Sequence, residues 1–224
     1  MFHKQNGNAL LYVLIAVTLL AVLTYTIMGE QRGQQQNQLT ESRTKLLASD
    51  LISHANSAEL AFKQMEMFGV EADQVLFDLP GTAAYSTNVT RQIYHPSGGG
   101  LGVFQVDDQY LGNPVATSIG WHHRNETHIE WTPTTANDLT YNFFQVKEDI
   151  CQELNKKLHG TSTSINLVPD DFRTRGHFLY AHPMSPGDEI LQASECPDCN
   201  QKKSACVYSV DYDHYIFYNI IGSR

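Results

Sequence analysis

Four cysteines, Cys151, Cys196, Cys199 and Cys206, are the residues of this 224-residue chain whose type and spacing point most directly to chemistry. An even count in an exported domain reads first as two disulfides, with three possible connectivities. Cys196-Pro-Asp-Cys199 also has the spacing of a metal knuckle, but no second CxxC or CxxH completes a zinc set. Nor does the sequence after Cys199 start a helix within a βαβ unit, which a thioredoxin-like redox motif requires. All four cysteines are therefore expected in disulfides.

The histidines are the next candidates. His122, His123 and His128 lie close in sequence, and Asp107-Asp108 and Asp170-Asp171 supply carboxylates. If residues 119–122 and 127–131 pair as a hairpin, His122 and His128 approach each other and can share a metal. No HExxH, GxSxG or comparable spacing fixes a nucleophile, base or ligand set, however. Pro96-Ser97-Gly98-Gly99-Gly100 lacks both the strand–GxGxxG–helix context and the lysine of a phosphate loop. Asn88-Val-Thr and Asn125-Glu-Thr match the glycosylation sequon, a pattern short enough to recur by chance. The expectation is a non-enzymatic chain with no catalytic residue, cofactor or metal.

The elements that position these residues follow from hydropathy. Ala9 to Met28 carries no charge, glycine or proline, and as a helix it spans the roughly 30 Å of a bilayer's hydrocarbon core. Lys4 on the short flank favours a cytoplasmic N-terminus. A cleavable signal is the alternative, but its apolar region is usually about 7–15 residues and no small-x-small site follows Met28. Beyond it, Leu47, Leu51, Ala55, Ala58, Phe62 and Met65 recur at three- and four-residue steps. That stripe predicts an amphipathic helix continuing to about residue 68 and packed on a domain, with Arg43, Asp50, His54, Lys63 and Glu66 on the opposite face.

After Gly69 the texture changes to short apolar runs separated by turns. Strands are expected at 92–95, 101–106, 119–122, 127–131, 139–146, 206–211 and 215–221, the last two as a hairpin. One further helix is expected over 147–158, with Glu148 and Asp149 in its first turn, Lys156 and Lys157 in its last, and Gly160 as its cap. The order is that of an α+β fold with an antiparallel sheet. The formal charge of −9 and the lack of any Lys/Arg-rich run argue against a nucleic-acid partner.

The layout resembles a type IV pilin or a type II secretion pseudopilin. Residues 2–7, Phe-His-Lys-Gln-Asn-Gly, resemble that family's short basic leader, and 8–16 the start of its mature helix. Cys206 and the final strands resemble the closing region of such proteins. The resemblance implies a leader at 1–7 cleaved between Gly7 and Asn8 by a prepilin peptidase, and methylation of the new terminus. It implies a transmembrane helix at 8–29, an amphipathic continuation at 30–68 and a periplasmic domain at 69–224. Leu10, Leu11, Leu14, Leu19, Leu20 and Leu23 would pack against other pilin-like subunits. The chain would sit in a bacterial inner membrane as a single-pass protein. Asn8 and Tyr12 stand where most pilins carry Phe or Met and then Glu, which shifts the expectation toward a minor subunit. The alternative is an anchored periplasmic binding module or enzyme, with a site near Pro96–Gly100 and His122/His128.

Overall fold

The computed structural model describes residues 8–116, 119–163, 165–166, 189–194, 196–209 and 213–223, with backbone alone for 8–10, 26–37, 126–127, 166 and 189–191. The leader, Gly7 included, and Asp170-Asp171 lie outside the described residues. Helix α1 covers Asn8–Met67. The chain divides into two units at Arg43/Thr44.

In the first unit, the side chains described without interruption from Leu11 to Tyr25 are exposed all round the helix. Fifteen helical residues are about 22 Å long. Among the described residues, no helix is long and apolar enough to cross a membrane.

The second unit is α+β. The apolar stripe of α1 is buried as its spacing requires: Leu51 and Ala58 are fully enclosed, and Leu47, Ala55, Phe62 and Met65 nearly so. It lies against a six-stranded sheet of order β3-β5-β6-β2-β1-β4. The strands are β1 (Gly120–Ile129), β2 (Asp138–Val146), β3 (Ile165–Asn166), β4 (Glu189–Leu191), β5 (Ser204–Ser209) and β6 (His214–Gly222). The central four, β5-β6-β2-β1, are antiparallel as expected. The short edge strands β3 and β4 run parallel to their neighbours, so the sheet is mixed.

Both faces of the sheet are covered. Leu139, Tyr141 and Phe143 of β2 face α1, whereas Phe144, with Ile216 and Tyr218 of β6, packs on Cys196, Cys199 and Ile165. Helix α2 (Glu148–His159) ends on Gly160, whose positive φ of 74° lets its N–H reach Lys156 O. The β5–β6 hairpin pairs Ser209 with His214.

Three strand expectations fail. Residues 119–122 and 127–131 are not a hairpin: 120–129 form the single strand β1, with an irregularity between Arg124 and Thr127. Arg124-Asn125-Glu126 lacks glycine or proline to turn the chain, and the turn falls instead at 130–137, around Pro133. Residues 92–95 contribute only the bridge Leu76↔Gln92, and 101–106 are irregular. Their apolar side chains serve as plugs, with Ile93 and Leu101 filling the core beside Ala61 and Phe62, and their backbones bond to local turns.

Candidate functional site

The first candidate is the surface of α1 over residues 11–25. Leu11, Leu14, Leu19, Leu20 and Leu23 are each about 60–70% exposed, and Val13, Val17 and Val22 are similar. Asn8 opens the helix, and the side chain of Leu10 lies outside the described residues. The two threonines do not spoil this surface. Thr18 Oγ1 donates to Ile15 O at 2.9 Å, and Thr24 Oγ1 donates to Leu20 O at 2.5 Å. Hydroxyls satisfied by their own helix carbonyls do not need water. A helix apolar on all sides gains nothing from solvent.

In the second unit, the expected ligand positions do not assemble. His122 and His128 lie six residues apart on one extended strand, about 20 Å at 3.3 Å per residue. His122 packs edge-on against Phe144, and His128 Nδ1 faces Ala136 O at 3.1 Å and Asp138 at 3.7 Å. His123 stacks on Phe77. Asp138 is fully buried and braces the β1–β2 turn, accepting from Ile129 N–H at 2.8 Å and from the Thr132 hydroxyl at 3.0 Å. Burial pushes its carboxyl above the usual range, against the pull of those donors and of His128. Among the described residues no cluster of His, Cys, Asp and Glu is arranged to hold a metal ion.

The glycine loop is a packing device. A Cβ on Gly98 would lie 2.2 Å from Gln92 O and 2.8 Å from Val89 O, and one on Gly99 would lie 2.7 Å from Ile93 O. Gly98 and Gly99 let two backbone segments touch, whereas the Cβ position of Gly100 faces open space.

The cysteines pair as Cys151–Cys206 and Cys196–Cys199, and all four side chains are buried. The first bond ties α2 to β5. Beside it is a residue that sequence reasoning missed: Asn155, fully buried on the apolar face of α2. Its amide donates to Cys206 O and its carbonyl accepts from Cys206 N–H, both at 2.8 Å, so it serves both backbone groups of that strand residue. Its signal was a lone polar residue four positions after Cys151 on a face otherwise made of Ile150, Leu154 and Leu158. His54 also departs from expectation. Rather than lying on a polar face, its ring packs against Phe104, Trp121 and Tyr141, and Nε2 lies 3.2 Å from Tyr141 Oη. Burial lowers its pKa to about 4. Within residues 69–116, Phe104 and Tyr110 pack on this flank of the helix.

Among the described residues there is an open groove of about 460 Å³. It is lined by Phe62, Ile220 and Ile221 together with Trp131 and Pro133 of the β1–β2 turn. Glu59 and two lysines, Lys63 and Lys203, each 2.5 Å from that carboxylate, also line it. Burial works against the charge of Glu59, but Lys203 and Lys63 together hold its pKa below the usual value.

No protein-family model, no curated protein and no solved structure matches the chain.

Proposed function

We propose that this chain is a non-enzymatic, pilin-like structural subunit, of the minor pilin or pseudopilin kind, in a type IV pilus or a type II secretion-like filament system. The observation that carries the reading is the surface of α1 over 11–25: continuously apolar, exposed on every side, with both threonine hydroxyls satisfied inside the helix. With the flanking residues of the sequence run 9–28, it has the length of a bilayer span. The helix rests in the inner membrane as a single pass, with the domain on the periplasmic side, and in the assembled state its leucines pack on helices of other pilin-like subunits. Residues 1–7 act as the leader that a prepilin peptidase removes.

The test is the mass of the mature N-terminus in protein taken from its native membrane. A chain starting at Asn8, methylated, supports the reading. An intact Met1 in assembled material would sink it. The groove beside Trp131 favours the alternative of an anchored periplasmic binding module, and that reading predicts an unprocessed N-terminus.

A further inference from the structure

The outer edge of β5 is closed by side chains more than by a strand. Among the described residues, strand pairing on that edge is limited to Ile165↔Val207 and Asn166↔Tyr208 of the short β3. At the start of β5 the edge groups meet one face of α2 instead. Asn155 bonds to both the N–H and the C=O of Cys206, and His159 Nε2 donates to Ser204 O at 2.8 Å. The fit is one of spacing. Residues four apart on a helix rise about 6 Å, and residues two apart on a strand about 6.7 Å. Helix α2, antiparallel to β5, therefore sets 155 beside 206 and 159 beside 204.

Asn155 also holds a third segment. Its amide nitrogen carries two hydrogens, and it reaches Thr163 O at 3.2 Å as well as Cys206 O. One fully buried side chain thus ties α2, β5 and the exposed residues 160–163 that precede β3. Helix α2 itself packs on the face of the sheet through Ile150, Cys151 and Leu154, and Asn155 and His159 reach over to the edge.

An open strand edge is a row of unpaired N–H and C=O groups that recruits another strand, and charge or proline on the strand deters it. The strand Ser204–Ser209 has neither, and Ala205, Cys206 and Val207 are fully buried. The deterrent comes from α2. A second β5 laid antiparallel about Cys206 puts Ser204 opposite Tyr208 and no like charges against each other.

We propose that the β5 edge is a guarded self-association site: Asn155 and His159 hold residues 160–163 over an edge that otherwise pairs with β5 of a second copy of this chain. With the guard lost, residues 160–163 and the two-residue β3 swing aside, and residues 204–208 of two copies pair across a two-fold axis. The Cys151–Cys206 bond keeps α2 on the sheet, so the change is confined to the edge.

The experiment compares the full-length parent with an N155A/H159A variant in the same detergent, by analytical ultracentrifugation over a wide range of concentration and by deuterium exchange. Both chains carry the apolar surface of 11–25, so association through that helix is common to the two. At low concentration, peptides covering 160–166 and 204–208 should exchange about 10-fold faster in the variant. A dimer absent from the parent should appear as concentration rises, with protection restored over 204–208 and not over 160–166. A peptide of residues 203–209, with serine in place of Cys206, should bind the variant and suppress its dimer while leaving the parent unchanged. A variant that exchanges faster at 204–208 yet sediments as the parent does overturns the proposal. So does unchanged exchange, or a dimer in which 204–208 stay unprotected. If the double variant loses its helicity, His159→Ala alone, which bares only Ser204 O, must still take up the peptide for the proposal to stand. The inference does not depend on filament assembly, and the N-terminal mass leaves it untouched.

Discussion

Removing the Cys151–Cys206 bond with C151A/C206A opens a ring of about 56 residues in the unfolded chain, where C196A/C199A opens one of about four. The loop-closure relation gives about 4 kcal/mol for the first and about 2 kcal/mol for the second. Against the roughly 5–15 kcal/mol of a whole domain, the first loss is a large fraction of the total. The native packing does not restore it. Asn155 still bonds to the backbone of residue 206 in either variant, and both pairs leave similar small voids in fully buried sites. The difference between them therefore isolates ring size. Urea unfolding of the full-length chain in detergent, monitored by far-UV circular dichroism, reads it directly. With a slope near 2 kcal/mol per molar, the midpoint should fall by about 2 M for C151A/C206A and about 1 M for C196A/C199A. Equal shifts, or a larger one for the short ring, would refute the ring-size reasoning.

Asn155→Ala strands a buried backbone N–H and C=O of Cys206 and should cost about 2–3 kcal/mol in the same assay, with the Cys151–Cys206 bond still formed by mass. His54 is neutral in the folded chain, because burial has lowered its pKa to about 4 from the ordinary 6.5. Its contribution is complete above about pH 6.5 and is lost as pH falls toward 4, as the unfolded chain takes up the proton first. With partial exposure discounted, the loss is about 2 kcal/mol. Unfolding midpoints at pH 7, 5.5 and 4.5 should therefore decline less in a His54→Gln variant than in the parent. Gly98→Ala drives a methyl into the Gln92 carbonyl and should lower stability by about 2 kcal/mol, whereas Gly102→Ala, with open space around its Cβ position, should be nearly silent to the same denaturation.

Much of the frame could be read before any coordinates. The stripe from Leu47 to Met65 is buried as its spacing demands, because a helix has one period and that stripe matches it. Helix α2 starts and stops within a residue of its expected limits, because acidic first-turn residues and Gly160 act locally. The final hairpin also derives from local pattern. The site residues fared differently. His122 and His128 were brought together only by a hairpin that β1 does not make, and whether an extended run turns or continues is decided by its neighbours in the sheet.

The sequence by itself determined which segments are helical, which face of α1 is buried, where an all-apolar surface lies, and that the four cysteines are candidates for disulfides. Each of these depends on residues a few positions apart, and side-chain period is a local property. Only the tertiary structure decided that Cys151 meets Cys206, that Asn155 completes a strand, that the glycine loop is a close backbone contact, and that Trp131, Lys203 and Glu59 share a groove. Those contacts join residues tens of positions apart. Their partners are chosen by how layers stack and loops route, and by which buried polar groups find a mate, none of which leaves a mark in local sequence spacing.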